Sequence, residues 1–316
     1  MVAGRASVLR LINHLPVSVM VNSILHAEPV VEHRCELGEG PLWDVDRQLV
    51  HWLDIEKGQI HSFNPVTARF TSINVHQRIG CIAFREGTTE FIAGLENGFA
   101  TIHPETGTVS LITDPEAHLP GNRFNDGKCD PSGRFWAGTM SMTEQTGAGN
   151  LYTLGEHHTV SKKIAGVTIS NGMAWSINHK TFYYIDTPTQ AITAWDFDHI
   201  EGTISSKRTI IKIPETEGSP DGMTIDAEGM LWVAHWGGSQ LSRWDPGTGK
   251  KLLSVPLPVS RVTSCTFGGS NLDDLYITTA KTGMDKHEEI SQPHAGKLFI
   301  VRNCGYRGLP TFSFRG

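Results

Sequence analysis

Several familiar catalytic signatures are missing from this sequence. It has no G-x-S-x-G elbow, no H-E-x-x-H helix, no Walker loop and no dinucleotide fingerprint. Those absences argue against a serine esterase, a zincin protease, a P-loop nucleotidase and a Rossmann dehydrogenase. Cysteine is scarce: Cys35, Cys81, Cys129, Cys265 and Cys304 are odd in number, far apart and never in a C-x-x-C pair. They read as reduced, buried thiols and not as a disulfide framework or a zinc knuckle. No N-x-[ST] sequon occurs, in keeping with a cytoplasmic protein. Basic charge is also short, with 27 Lys and Arg against 33 Asp and Glu and a net charge of −6. That leaves no footprint for nucleic acid. The histidines at 157, 158, 287 and 294 are scattered and read as surface residues, so they offer no triad.

The N-terminal stretch lacks acid altogether. Residues 1–27 carry Arg5 and Arg10 but no Asp or Glu before Glu28. This suits either a transit-like segment or an extension packed on the domain. Its apolar run is broken by Asn13 and His14, which argues against a membrane span. Residues 28–316 contain no linker and read as one domain, expected to be a monomer or weak dimer.

What is present is a repeat. Six short apolar segments share one shape: Val50–Asp54, Phe91–Leu95, Phe135–Thr139, Phe182–Asp186, Leu231–His235 and Leu275–Thr279. Their second residues lie at 51, 92, 136, 183, 232 and 276, so the spacing runs from 41 to 49 residues. Each is strand-length and rich in β-branched and aromatic residues, and turn signals such as Asp130-Pro131-Ser132-Gly133 and Asp226-Ala227-Glu228-Gly229 precede several. No helical periodicity competes. A β-sandwich does not repeat at this interval, whereas four-stranded propeller blades do. The pattern predicts an all-β, six-bladed β-propeller with four antiparallel strands per blade. A strand near residues 29–35 is expected to close the last blade against Lys297–Val301.

About 10–13 residues before each segment lies a second strand, which in a propeller lines the central channel. Its leading column reads Glu39, Gly80, Asp126, Asn171, Asp221 and Thr263. Carboxylates converging on one axis call for a positive charge between them, and oxygen donors without His or Cys suit a hard divalent cation. Asp-Gly and Asn-Gly are also common turn dipeptides, so the signal rests on the set in register. Beside Asp126, Arg123 and Asn125 alternate with Phe124 and point into one mouth. Lys128 reads as structural or solvent-facing. Residues 141–150 read as a mobile loop over the mouth.

Four ordered runs carry a resemblance: Gly38-Glu39-Gly40-Pro41-Leu42-Trp43, Asn122–Lys128, Ile169-Ser170-Asn171-Gly172 and Pro220-Asp221-Gly222-Met223. Together they resemble the senescence marker protein, gluconolactonase and luciferin-regenerating enzyme family, from about residue 30 to the C-terminus. The resemblance implies a propeller holding one Ca²⁺, Zn²⁺ or Mn²⁺ ion, with Mg²⁺ an alternative. By position it implies Glu39, Asn171 and Asp221 as metal ligands, Arg123 and Asn125 as substrate contacts with Asp126 beside them, and Asp221 as general base. The implied activity is hydrolysis of a small sugar lactone. The alternatives are organophosphate hydrolysis at the same site and a non-enzymatic calcium-binding protein. Two departures bear on the choice of sugar. Family members carry an acid shortly after the Ala-Gly-Thr-Met run, whereas here Ser141, Met142 and Thr143 precede Glu144; and His235 and Trp236 stand at a strand end expected to face the pocket.

Overall fold

The computed structural model describes residues 25–316. The expectations for residues 1–24 therefore lie outside the described residues. Strands form six antiparallel four-stranded sheets. The one α-helix among the described residues is the single turn and a half at Lys286–Ser291, capped by Asp285. No described helix is long and apolar enough to cross a membrane.

The six repeated segments are the second strands of six blades: Leu49–Asp54, Phe91–Leu95, Phe135–Ser141, Thr181–Asp186, Leu231–Trp236 and Asp274–Thr279. Preceding each is the strand that lines the channel: Gly38–Asp44, Ile79–Phe84, Asn122–Cys129, Ser170–Trp175, Ser219–Ile225 and Val262–Gly268. The second strands run nearly all buried because each sheet packs on a neighbour through both faces. Six apolar clusters result, one between each adjacent pair of blades. The first and second blades join through Leu42, Leu53, Ile82 and Phe91, and the third and fourth through Trp136, Leu151, Trp175 and Phe182.

Carboxylates that accept backbone or indole N–H groups repeat with the blades. Asp54 accepts the backbone N–H groups of Glu36 and Leu37, and Asp186 those of Thr168 and Ile169, so each pins the chain entering an inner strand. Asp130 and Asp226 each accept the indole N–H of a tryptophan six positions on, Trp136 and Trp232, both at 2.9 Å.

Both chain ends close the ring. Glu28 pairs with Ile300 and Pro29 with Phe299 as the outermost strand of the sixth blade. The expected strand at 29–35 is thus only Glu28–Pro29, facing Phe299–Val301 and not all of Lys297–Val301. Beyond it only single bonds continue, from Val30 N–H to Leu298 O and from Cys35 N–H to Gly296 O, because the chain turns inward toward the first blade. The C-terminal tail bridges to Asp226 at Gly308 and to Arg85 at Phe314, and Phe314 is fully buried between the second and third blades. Leu309–Phe312 therefore lie across one end of the channel and line the cavity there. All five cysteines are unpaired and buried, as their spacing implies.

Candidate active site at the channel mouth

Every inner strand breaks register at the same place. The shifts fall between Glu39 and Leu42, Ile79 and Cys81, Phe124 and Gly127, Ser170 and Met173, Pro220 and Met223, and Val262 and Ser264. A β-bulge re-aims the side chains it holds. In the third, fourth and fifth blades the first bulge residue, Asn125, Asn171 and Asp221, lines the channel mouth, whereas Glu39 is the paired residue just before the bulge of the first blade.

The open end of the channel holds a cavity of about 680 Å³, within the roughly 300–1,000 Å³ of small-molecule sites. Glu39, Arg123, Asn125, Asn171 and Asp221 all line it. Each is at least nine-tenths buried. The structure thus brings together five of the six residues singled out from the sequence.

The sixth, Asp126, is placed differently. In the third blade Asn125 is the first bulge residue, equivalent to Asn171 and Asp221, and Asp126 stands where they have Gly172 and Gly222. Asp126 lines the cavity of about 380 Å³ at the tail-covered end, with Lys128, instead of the mouth. Lys128 is not solvent-facing: its Nζ donates to Met223 O at 2.8 Å. Thr263 also leaves the column, since its hydroxyl donates to Gly38 O at 2.6 Å. Gly80 has no oxygen to offer and no space for one, because a Cβ there would meet Phe124 O at 2.3 Å. His235 is the remaining correction. Its ring bonds Glu217 O and Ser242 Oγ inside the fifth blade, and only Trp236 of that pair reaches the cavity.

The donor set is specific. Asn171 gives its amide N–H to Thr187 Oγ1 at 2.9 Å, and Thr187 in turn donates to Pro220 O. This fixes the amide so that Asn171 Oδ1 is buried with no hydrogen-bond partner. A buried acceptor left unpaired is costly. Beside it stand Glu39 and Asp221, whose carboxyls burial pushes well above the usual 4.5 and 3.8, with the Asp221 and Asp126 charges adding to the effect on Glu39 and the Asp126 charge to that on Asp221. Three oxygen ligands with two carboxylates fit a hard divalent cation and lack the nitrogen or sulfur of a structural zinc site. Arg123 supplies the complementary chemistry. One guanidinium nitrogen donates to Asn125 Oδ1 at 2.7 Å and to Phe124 O, and Asn125 passes its own N–H to Ser170 O. No carboxylate of the described residues lies within ion-pair reach of it, so the rest of its fork is available to an oxygen-rich ligand.

The raised carboxyls have a pH consequence in metal-free protein. Folding favours their protonated forms, so this stabilisation is complete below about pH 4 and is lost as pH rises through the raised folded values. Metal-stripped protein is expected to melt lower at about pH 8 than at about pH 5, with a saturating divalent ion flattening that slope. Calorimetry across the range tests this, and a slope unaffected by the ion would count against the cluster as its source.

Trp236 lines the mouth as its strand-end position implied, and Met142 and Glu144 do so from the loop expected there, whereas Glu56, Arg78, Thr187 and Thr282 escaped sequence reasoning and lie just beyond the ends of second strands or at the start of an inner one. Since inner and second strands run antiparallel, the exits of the second strands surround the mouth that the inner strands enter. That rule was available from the repeat. Arg78 bridges Glu56 and Glu96 at 2.9 and 3.3 Å. Glu144, arriving later than the family's acid, nevertheless reaches the cavity together with Met142.

These features define a class: a six-bladed propeller with buried oxygen donors at one channel mouth beside an arginine lacking an acid partner. The chain belongs to the family described as SMP-30/Gluconolactonase/LRE-like region, whose model matches residues 37–281. It is 38% identical to regucalcin of Xenopus laevis over 93% of this chain and all of that one. A solved luciferin-regenerating enzyme superposes with a TM-score of 0.86 at 31% identity, covering 92% of this chain and 99% of the other. A calcium-binding protein, regucalcin, from Agrobacterium tumefaciens matches with the same TM-score at 27% identity, covering 91% and 97%.

Proposed function

We propose that the chain is a metal-dependent lactonase acting on small sugar lactones at this mouth. The observation that carries the reading is the buried, unpartnered Asn171 Oδ1 on a residue that lines one cavity with Glu39, Asp221 and Arg123. Glu39, Asn171 and Asp221 would hold the ion, Ca²⁺, Zn²⁺ or Mn²⁺ and by similar chemistry Mg²⁺. Such an ion supplies Lewis-acid polarisation of the lactone carbonyl and a more acidic water.

The chain's own residues do the rest. Arg123 holds substrate oxygens with its remaining N–H groups, and the bond to Asn125 keeps the fork in position. Asp221 accepts the proton of the attacking water as the carbonyl carbon is attacked, and the ring C–O bond then breaks with that oxygen taking a proton to become a hydroxyl. A carboxylate tied to a cation is a weak base, so Asp221 contributes position more than basicity. Trp236, backed by the Arg261 guanidinium at 5.6 Å, and Glu144 line the wall where sugars would be distinguished.

Calcium binding without catalysis is the second reading, favoured by the oxygen-only donor set and by the name of the Agrobacterium relative. The Arg123–Asn125 pair separates the two, because holding a cation requires neither residue. The test is hydrolysis of D-glucono-1,5-lactone by metal-stripped protein re-supplied with each ion in turn. Turnover returning with one or more ions supports the lactonase. Tight ion binding with no turnover on a lactone panel would favour the calcium-binding reading, and turnover of organophosphates alone would reassign the substrate.

A further inference from the structure

We propose that His33, Cys35 and His61 form a second metal site, of nitrogen and sulfur donors, that fastens the N-terminal crossover to the first blade. His33 and Cys35 lie on the segment passing from the closing strand Glu28–Pro29 to the first inner strand Gly38–Asp44, and His61 lies on the third strand of the first blade, Gln59–Asn64. One ligand atom from each of the three falls within 4.8 Å of the other two.

Three of the four imidazole nitrogens there are buried without a hydrogen-bond partner. His61 is fully buried, and neither of its ring nitrogens has a hydrogen-bond partner. His33 Nε2 is buried and unpaired as well. The walls are aromatic: Trp52 and Phe70 stand 5.2 and 5.7 Å from the His61 ring, and neither side chain offers an acceptor to those nitrogens. Asp54, the nearest carboxylate to act on His33, has its oxygens occupied by the N–H groups of Glu36, Leu37 and Lys57. Cys35 is held in place by its backbone bond to Gly296 O at 2.8 Å.

Two imidazoles and a thiolate suit Zn²⁺ or Co²⁺, a preference opposite to that of the oxygen cluster at the mouth. At bond lengths of about 2.0–2.1 Å to nitrogen and about 2.3 Å to sulfur, the three atoms would draw in by about an ångström. The Cys35 thiol would give up its proton on binding. Because the ligands bridge the crossover and the first blade, occupancy would stabilise the closure of the ring.

The test is titration of metal-stripped, reduced full-length protein with Co²⁺. The expected result is a thiolate-to-cobalt charge-transfer band saturating at about one equivalent. The band is expected to be absent in Cys35→Ser, weakened at least about tenfold in affinity in His33→Ala, and retained in Glu39→Gln. Metal-free melting curves of each variant check that it folds. No thiolate band in the parent protein, or an undiminished band in folded Cys35→Ser, would overturn the site.

Discussion

Replacing Asp221 with alanine is expected to lower kcat/KM for D-glucono-1,5-lactone by about 10³-fold, the middle of the range for loss of a general base. The same variant makes a second prediction of opposite sign. Burial and the Asp126 charge disfavour the ionised form of Asp221 in metal-free protein, so its removal relieves a strain. In chelator Asp221→Ala is therefore expected to melt no lower than its parent. With a divalent ion at 100 to 1,000 times its Kd, the parent should gain about 3–4 kcal/mol and the variant much less. Lost turnover with unchanged metal stabilisation would leave Asp221 as a base but not a ligand. Retained turnover would remove it from the mechanism. Asp221→Asn refines the comparison, since it keeps an oxygen donor in the same volume but cannot take the proton.

The largest effect on stability is expected away from the mouth, at Asp226. This fully buried carboxylate accepts Arg243 Nε at 2.7 Å, the Trp232 indole N–H at 2.9 Å, and the backbone N–H groups of Glu228 and Met230. Arg243 is itself buried and stacks 4.1 Å from the Tyr306 ring centroid, so its charge cannot reach water when Asp226 is removed. Its other partner, Glu228, is two-thirds exposed and screened. Asp226→Ala therefore strands a buried cation and an indole N–H, at a cost of about 3–5 kcal/mol. For a chain of this length that corresponds to a fall in Tm of about 5–8 °C. Asp196 provides the contrast. It bonds Arg208 at 2.8 Å, yet both side chains are about half exposed, and Asp196→Ala is expected to leave Tm unchanged. Equal losses in the two variants would show that burial is not what gives the Asp226 pair its strength.

The division between chain and fold follows from the range of the interactions involved. Strand composition, turn residues and the interval between repeats are local, so the sequence alone determined six blades, their second strands and the identity of five residues at one mouth. Arg123, Asn125, Glu39, Asn171 and Asp221 were legible because each lies in a motif recurring at the start of an inner strand. Aim was not legible. A bulge decides which of two consecutive residues faces the mouth, and in the third blade it chose Asn125 over Asp126. Long-range bonds decided other cases: Thr263 turned to Gly38 across 225 positions, and His235 turned into its own blade toward Ser242. The tertiary structure alone laid the C-terminal tail across the far end of the channel and brought His33 and Cys35 against His61. These contacts join segments whose partners are set only when the ring closes, and no local pattern in the chain records which segments will meet.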